Sequence, residues 1–354
     1  VWYTGLVMKG GGNMRRFWTA VLAAVMVLAL AGCGVRPAKK DDGKLQVVCT
    51  LFPYYDFVRQ IGGEDVTPVL LIPAGRETHS FEPTPVDVIT MSQADVFVYN
   101  GGESETWVED ILDAAGEDIP YRLRMMDQVD VYEEEFSEGM QGAEEHDHGH
   151  DHDHDHDGHD HDDDDHDHDA LEDGHGEDIE YDEHIWTSPV KAMALCRAIC
   201  ETLCEADPAH GENYRGRLET YLAELETLDG TFREIAEQGR RRLLVFGDRF
   251  PLLYFCKEYG LDYRAAFHGC AGDTEPSLAT MKYLIDLVRE QEIPVVYTIE
   301  LSSRKIAQAV AETTGAAVRT FHSCQTLSRA ELDRGETYIS LMTANAEVLR
   351  EGLS

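Results

Sequence analysis

The chain has 354 residues, 28% of them charged, and a formal net charge of −38 at pH 7. The length suits two domains of ordinary size. The charge excludes nucleic acid as a partner, because its phosphates would be repelled. Much of the acidity is local: residues 133–183 hold 25 acidic residues and no Lys or Arg, which leaves the rest only moderately acidic. The charge therefore points to a cation partner in that stretch and says little about the whole.

The first elements read as export signals. Met14-Arg15-Arg16 is a short basic region, and Ala20 to Leu30 is an apolar run too short to span a bilayer. It ends in Leu30-Ala31-Gly32-Cys33, which is similar to the bacterial lipobox. Residues 1–32 are expected to be a signal peptide whose true start is Met14, with Lys9-Gly10-Gly11 a translated ribosome-binding sequence. Cys33 is the expected lipid-attachment residue, and residues 33–44 are a tether that holds the protein at the outer face of the cell membrane. Export leaves seven further cysteines where disulfides persist. Cys196, Cys200 and Cys204 recur every four residues on one helix face and read as small core residues.

From Leu45 onward, strand patterns alternate with helical ones. Leu45–Phe52, Val66–Ile72, Val96–Asn100 and Tyr121–Met126 read as buried strands, with helices over 54–61, 86–93 and 105–115. A helix over 189–205 closes a first lobe, 45–206. Asp207-Pro208 then starts a helix running from Ala209 to about Gln238, with Tyr214, Tyr221, Leu225 and Leu228 on its apolar stripe. It would be about 45 Å long at 1.5 Å per residue. This linker, 207–240, leads into strands at 243–246, 262–267, 295–299 and 317–321, with helices at 250–259, 277–291, 303–314 and 338–349. The expected fold class is α/β: two parallel-sheet lobes, the second at 241–354, joined by one long rigid helix. Ligands of such sheets bind beyond the carboxyl ends of the strands, here in the cleft between the lobes.

Between the first four strands and the closing helix lies a loop, 133–183. Its centre carries His146, His148, His150, His152, His154, His156, His159, His161, His166 and His168 among aspartates. Such a run cannot bury apolar surface and is expected to be disordered. Imidazoles alternating with carboxylates make a multidentate surface, which reads as a low-affinity collector of zinc-like ions.

The strand ends supply a second set of donors. His79 follows the second strand, and His184 follows the fourth at the end of the loop. Asp248, His268 and Glu300 follow the first, second and third strands of the second lobe. Histidine–carboxylate sets suit a divalent metal, and imidazole favours zinc.

ETHSFEPTP (Glu77–Pro85), VYNGGESETW (Val98–Trp107), DEHIWTSP (Asp182–Pro189), DTEPS (Asp273–Ser277) and TYISLMTAN (Thr337–Asn345) together resemble the zinc-uptake branch of the metal-binding lipoproteins of bacterial ABC importers. The resemblance covers Leu45 to the end. It implies two lobes on one backbone helix, metal in the cleft, and a permease as partner to a monomeric binding protein. It implies His79 and His184 as first-lobe ligands and Glu300 as a carboxylate ligand. That family carries a His-Asp pair after the first strand of the second lobe, where this chain has Gly247-Asp248. The third imidazole is therefore missing from its place. Asp248 takes its role, or His268 reaches in from the next loop, or water fills the position; Asp248 is preferred and His268 ranks second. A site with fewer imidazoles is harder and accepts manganese more readily, while the His-rich loop favours zinc. The family often bridges the loops that here read HGC and HSC, so the resemblance also implies a disulfide between Cys270 and Cys324.

Two other functions compete. A zinc-dependent hydrolase would use Glu275 or Asp248 as base, but no HExxH pattern supports it. A surface metal buffer or adhesin would need no permease. In the leading reading the protein is not an enzyme. It releases metal by rearranging cleft loops such as Pro73–Pro85 or the segment at His268, with little change in lobe angle.

Overall fold

The computed structural model describes residues 43–115, 119–140, 180–269 and 275–354. In the first lobe, β1 (Leu45–Cys49), β2 (Val66–Leu70), β3 (Val96–Tyr99) and β4 (Tyr121–Arg124) form a parallel sheet in the order β2-β1-β3-β4. The crossovers are α1 (Phe52–Gly62), α2 (Pro85–Ser92) and α3 (Thr106–Ala115). Next come α4 (Pro189–Ala206) and the long α5 (Gly211–Gln238). The second lobe repeats the plan with β5 (Leu243–Phe250), β6 (Asp262–His268), β7 (Val295–Thr298) and β8 (Ala317–Thr320), ordered β6-β5-β7-β8 and all parallel. Its helices are α6 (Leu253–Tyr259), α7 (Leu278–Glu290), α8 (Lys305–Thr314), the short α9 (Arg329–Arg334) and α10 (Tyr338–Leu353). Both sheets are covered by helices, so their central strands read as unbroken apolar runs such as Val47-Val48-Cys49 and Val295-Val296-Tyr297.

The 28 residues of α5 span about 42 Å. Its N-terminal half packs on the first lobe, where Tyr221 meets Phe57 and Arg217 donates to the Gly62 carbonyl at 2.8 Å. Its C-terminal half packs on the second, where Phe232 stands edge-on to Phe255 at 4.8 Å.

The lobes also join beside the helix, through one hydrophobic cluster that takes in residues of both. The Trp186 indole N–H donates to the Ser323 carbonyl at 2.8 Å, and the Tyr338 hydroxyl donates to the Trp186 carbonyl at 2.7 Å. The Tyr338 amide donates to the buried Asp56 carboxylate at 2.8 Å. The segment after β8, Phe321 to Leu327, is buried throughout and forms the floor between the lobes.

Two details depart from the sequence reading. The flanks of the expected loop are packed: the Glu134 amide donates to the Glu180 carbonyl and the Asp182 amide to the Tyr132 carbonyl, both at 2.9 Å, closing an antiparallel bridge. Only 141–179 of that loop lies outside the described residues. Strand β5 continues past Phe246 through a register shift to Phe250, so Asp248 sits inside an irregular strand rather than after a regular one. Gly247 is required there: a Cβ would lie 2.6 Å from the Ala307 backbone of α8.

Candidate metal centre

Three imidazoles approach one another from three separate segments. His79 stands in the loop between β2 and α2, His184 just before α4, and His268 at the last position of β6. The rings of His79 and His184 are 5.7 Å apart. A Cβ at Gly269 would lie 3.0 Å from His184 Cε1, so the end of β6 runs close beside that ring.

His184 is wholly buried. Its Nδ1 lies 3.2 Å from Asp182 Oδ1, which also accepts the His184 backbone N–H at 2.8 Å. That bond assigns the ring proton to Nδ1 and turns the Nε2 lone pair inward. Nε2 has no hydrogen-bond partner. Burial acts to lower the His184 pKa, but Asp182, Glu183 and Glu134 outweigh it and the net direction is up. A carboxylate behind an imidazole is how metal-binding histidines are oriented. Glu183 is itself fixed by the Ser104 amide and hydroxyl, so the segment is rigid.

His79 is half-buried, with Nε2 3.3 Å from the Gln325 side-chain nitrogen. Burial, then the charges of His184, Arg249 and His268, lower its pKa to about 3, so the ring is neutral at pH 7. His268 repeats the arrangement of His184: its Nδ1 lies 3.0 Å from Glu134 Oε1, a carboxylate only 5% exposed, and Phe136 packs on the ring. Sequence reasoning missed Glu134 because it is one acid in an acidic run; its place at the start of the loop was the available signal. It missed Gln325 because an amide side chain is not a typical ligand for a zinc-type ion, and His322 and Cys324 beside it were not placed at the site.

Asp248, the preferred replacement for the third imidazole, is turned elsewhere. Its Oδ1 accepts from the Arg249 amide at 2.9 Å and its Oδ2 from the Ile299 amide at 3.2 Å. Burial raises its pKa against the hydrogen bonds of Ser302, Arg249 and Ile299. The carboxylate thus caps two backbone amides, one of them at the register shift in β5 and the other just after β7. His268 stands where a third imidazole is wanted. Glu300 accepts from the Ser323 amide at 2.7 Å and the Ser323 hydroxyl at 2.5 Å. It also faces a buried imidazole that the sequence reading passed over, His322, whose Nδ1 lies 3.7 Å from Glu300 Oε2 and accepts the Cys324 amide at 2.9 Å. Asp248 and Glu300 share a cavity of about 510 Å³ with Glu275, Arg304 and the Arg249–Glu77 ion pair (3.4 Å).

Among the described residues, no three His, Cys, Asp or Glu side chains converge tightly enough to hold an ion as they stand. Cys324 is a buried free thiol; Cys270, Cys33 and the loop histidines His146 to His168 lie outside the described residues. Among the described residues no helix is long and apolar enough to cross a membrane. Imidazole nitrogens, two of them backed by carboxylates, suit a zinc-type ion.

Comparison with known proteins agrees with this chemistry. A family model described as zinc-uptake complex component A, periplasmic, matches residues 47–352. The high-affinity zinc uptake system protein ZnuA of Bacillus subtilis is 31% identical over 96% of this chain and 99% of its own length. The zinc-binding lipoprotein AdcA of Streptococcus pneumoniae is 29% identical over 94% of this chain, which spans 60% of that relative's length. The Zn(II)-bound ZnuA-like domain of Streptococcus pneumoniae AdcA superposes with a TM-score of 0.67 at 26% identity, covering 88% of this chain and 99% of the domain.

Proposed function

The chain belongs to the family of zinc-uptake complex component A, and on that premise we propose that it captures zinc outside the cytoplasm and delivers it to the permease of an ABC importer. It is a binding protein and not an enzyme. One observation carries the site assignment: the buried, unpartnered Nε2 of His184 beside the neutral ring of His79. His79, His184 and His268 are the imidazole donors. Glu300 completes the set by leaving Ser323, so the zinc is enclosed with no position left for a reacting water. Asp248 holds the backbone and does not ligate. Glu275, with no nucleophile to activate, has no hydrolytic role.

Cys33 carries a lipid that tethers the protein to the outer face of the membrane. The histidines of 141–179 collect zinc weakly, and the loop's stem brings its two ends to His268 through Glu134. Release follows from movement of the cleft loops, because α5 and the shared core tie the lobes together.

The test is metal content by mass spectrometry after exhaustive dialysis. The full chain should retain one tight zinc, and so should a chain lacking 141–179. The His79→Ala/His184→Ala double variant should retain none; one tight zinc in that variant would remove the assignment.

A further inference from the structure

A second group of donors lies away from the cleft, on α4. Cys200 and Cys204 are one helical turn apart and stack on one face. Cys200 is 3% exposed and Cys204 half-buried. Both open into one surface cavity with Arg197, Glu201 and Arg215. The two thiols are within hydrogen-bonding reach of each other. Cys204 Sγ also lies 3.6 Å from the Gly211 carbonyl oxygen. A Cβ built on Gly211 would stand 3.6 Å from Cys204 Sγ and 3.3 Å from Arg215 Nη1, so the guanidinium is beside the pair. Along the helix axis Cys200 is about 17 Å from Pro189, which follows the His184 segment, so this group is separate from the metal centre.

The pair cannot simply oxidise. A disulfide needs Cβ atoms about 3.5–4.5 Å apart, whereas helical residues four apart hold them at about 5–6 Å. Closing the bond would distort the turn. Burial raises the Cys200 pKa to about 12, so that thiol is protonated at rest. Among the described residues no third donor converges with these sulfurs, which leaves four-coordinate zinc unserved. Two soft sulfurs that face each other without joining suit an ion that bonds two thiolates in line.

We propose that Cys200 and Cys204 form a two-sulfur site for a soft monovalent d10 ion such as Cu(I) or Ag(I). On binding, two S–H bonds break, two sulfur–metal bonds form and two protons leave to water. The metal keeps its oxidation state. The resulting bis-thiolate complex carries one net negative charge, with Arg215 the nearest cation in a cavity that Arg197, Glu201 and Glu205 also line. This site takes a cation that the imidazole centre is not built for, and it fills independently of zinc.

The experiment gives the zinc-loaded full chain one equivalent of Ag(I) without oxygen. X-ray absorption should show two sulfur neighbours per silver, with zinc still bound. Cys200→Ser and Cys204→Ser should each lose that sulfur signal, and Cys256→Ser, a buried thiol of α6, should not. A measurement on the unaltered chain guards against misfolding: silver should cut iodoacetamide labelling of Cys204 by roughly 10-fold, since alkylation needs the free thiolate. Unchanged labelling, silver held through nitrogen or oxygen alone, or sulfur-bound silver in the Cys200→Ser/Cys204→Ser double variant would each overturn the proposal.

Discussion

The two sides of the cleft hold similar residue types in opposite conditions. On the imidazole side, His184 keeps a buried lone pair with no partner, and His79 is held neutral by its surroundings. On the carboxylate side, both oxygens of Asp248 and both of Glu300 accept hydrogen bonds from nearby backbone and Ser323. An unsatisfied buried polar atom costs about 1–3 kcal/mol. His184 Nε2 is one of several such atoms among the described residues, and what sets it apart is the second imidazole, His79, beside it. The position of a donor at a sheet's edge is thus weaker information than whether the local backbone has already claimed it.

The largest effect would come from the unclaimed side. His184→Ala should weaken tight zinc binding by more than the ~10–100-fold typical of losing a residue that only orients a ligand, and Asp182→Asn should fall within that range. Chelator competition reads both. Equal small losses in the two variants would erase the contrast.

The claimed side gives smaller and split effects. Glu300→Gln, which keeps an oxygen donor but loses the charge, should weaken zinc by about tenfold or more. Asp248→Asn should leave zinc affinity unchanged and lower unfolding stability by about 1–3 kcal/mol, through the amides it caps. Denaturant titration with and without zinc separates the two. An affinity loss in Asp248→Asn with unchanged stability would restore it as a ligand.

Removing 141–179 should spare tight zinc and abolish several weak sites. In the full chain those weak sites should fade between about pH 7.5 and 6, as imidazoles with pKa near 6.5 protonate. Equilibrium dialysis at the two pH values reports it; weak binding that persists at pH 5.5 would assign it to carboxylates. The smallest effect concerns the strut. Nothing lies within 4 Å of a Cβ added at Gly216 or Gly230. Alanine at each should therefore stabilise the fold by up to about 1 kcal/mol. It should not alter zinc release or the radius of gyration measured by small-angle scattering with and without zinc.

Much of the architecture was legible because its signals are local. Alternating apolar runs and helical stripes located eight strands and the long helix. Residues 45–52 ran too long as a strand because Phe52 and Pro53 are apolar yet open α1. The short α9 was overlooked although Ser328 and Glu331 form a capping box before it and Gly335 ends it in a left-handed turn. His79 and His184 were named from their motifs, and their rings lie 5.7 Å apart. The position of Asp248 inside an irregular strand was not legible, because a register shift leaves no mark in composition. The nearness of His268 to His184 depends on Gly269 running close beside a ring 85 residues earlier in the chain, and no single-sequence pattern reports that.

The bonds made by Tyr338 have a consequence for how the protein is made. Asp56 and the Trp186 carbonyl, both in the first lobe, receive hydrogen bonds from the first turn of the last helix. Gln325, far along the chain, accepts the amide that opens α1. A growing chain therefore cannot complete the first lobe when its own residues have emerged; it waits for α10. Such a polypeptide remains incompletely packed until α10 has emerged, a condition that suits passage through a narrow channel. Protease should readily cut the first lobe of a chain shortened before Thr337, and leave it intact once α10 is supplied.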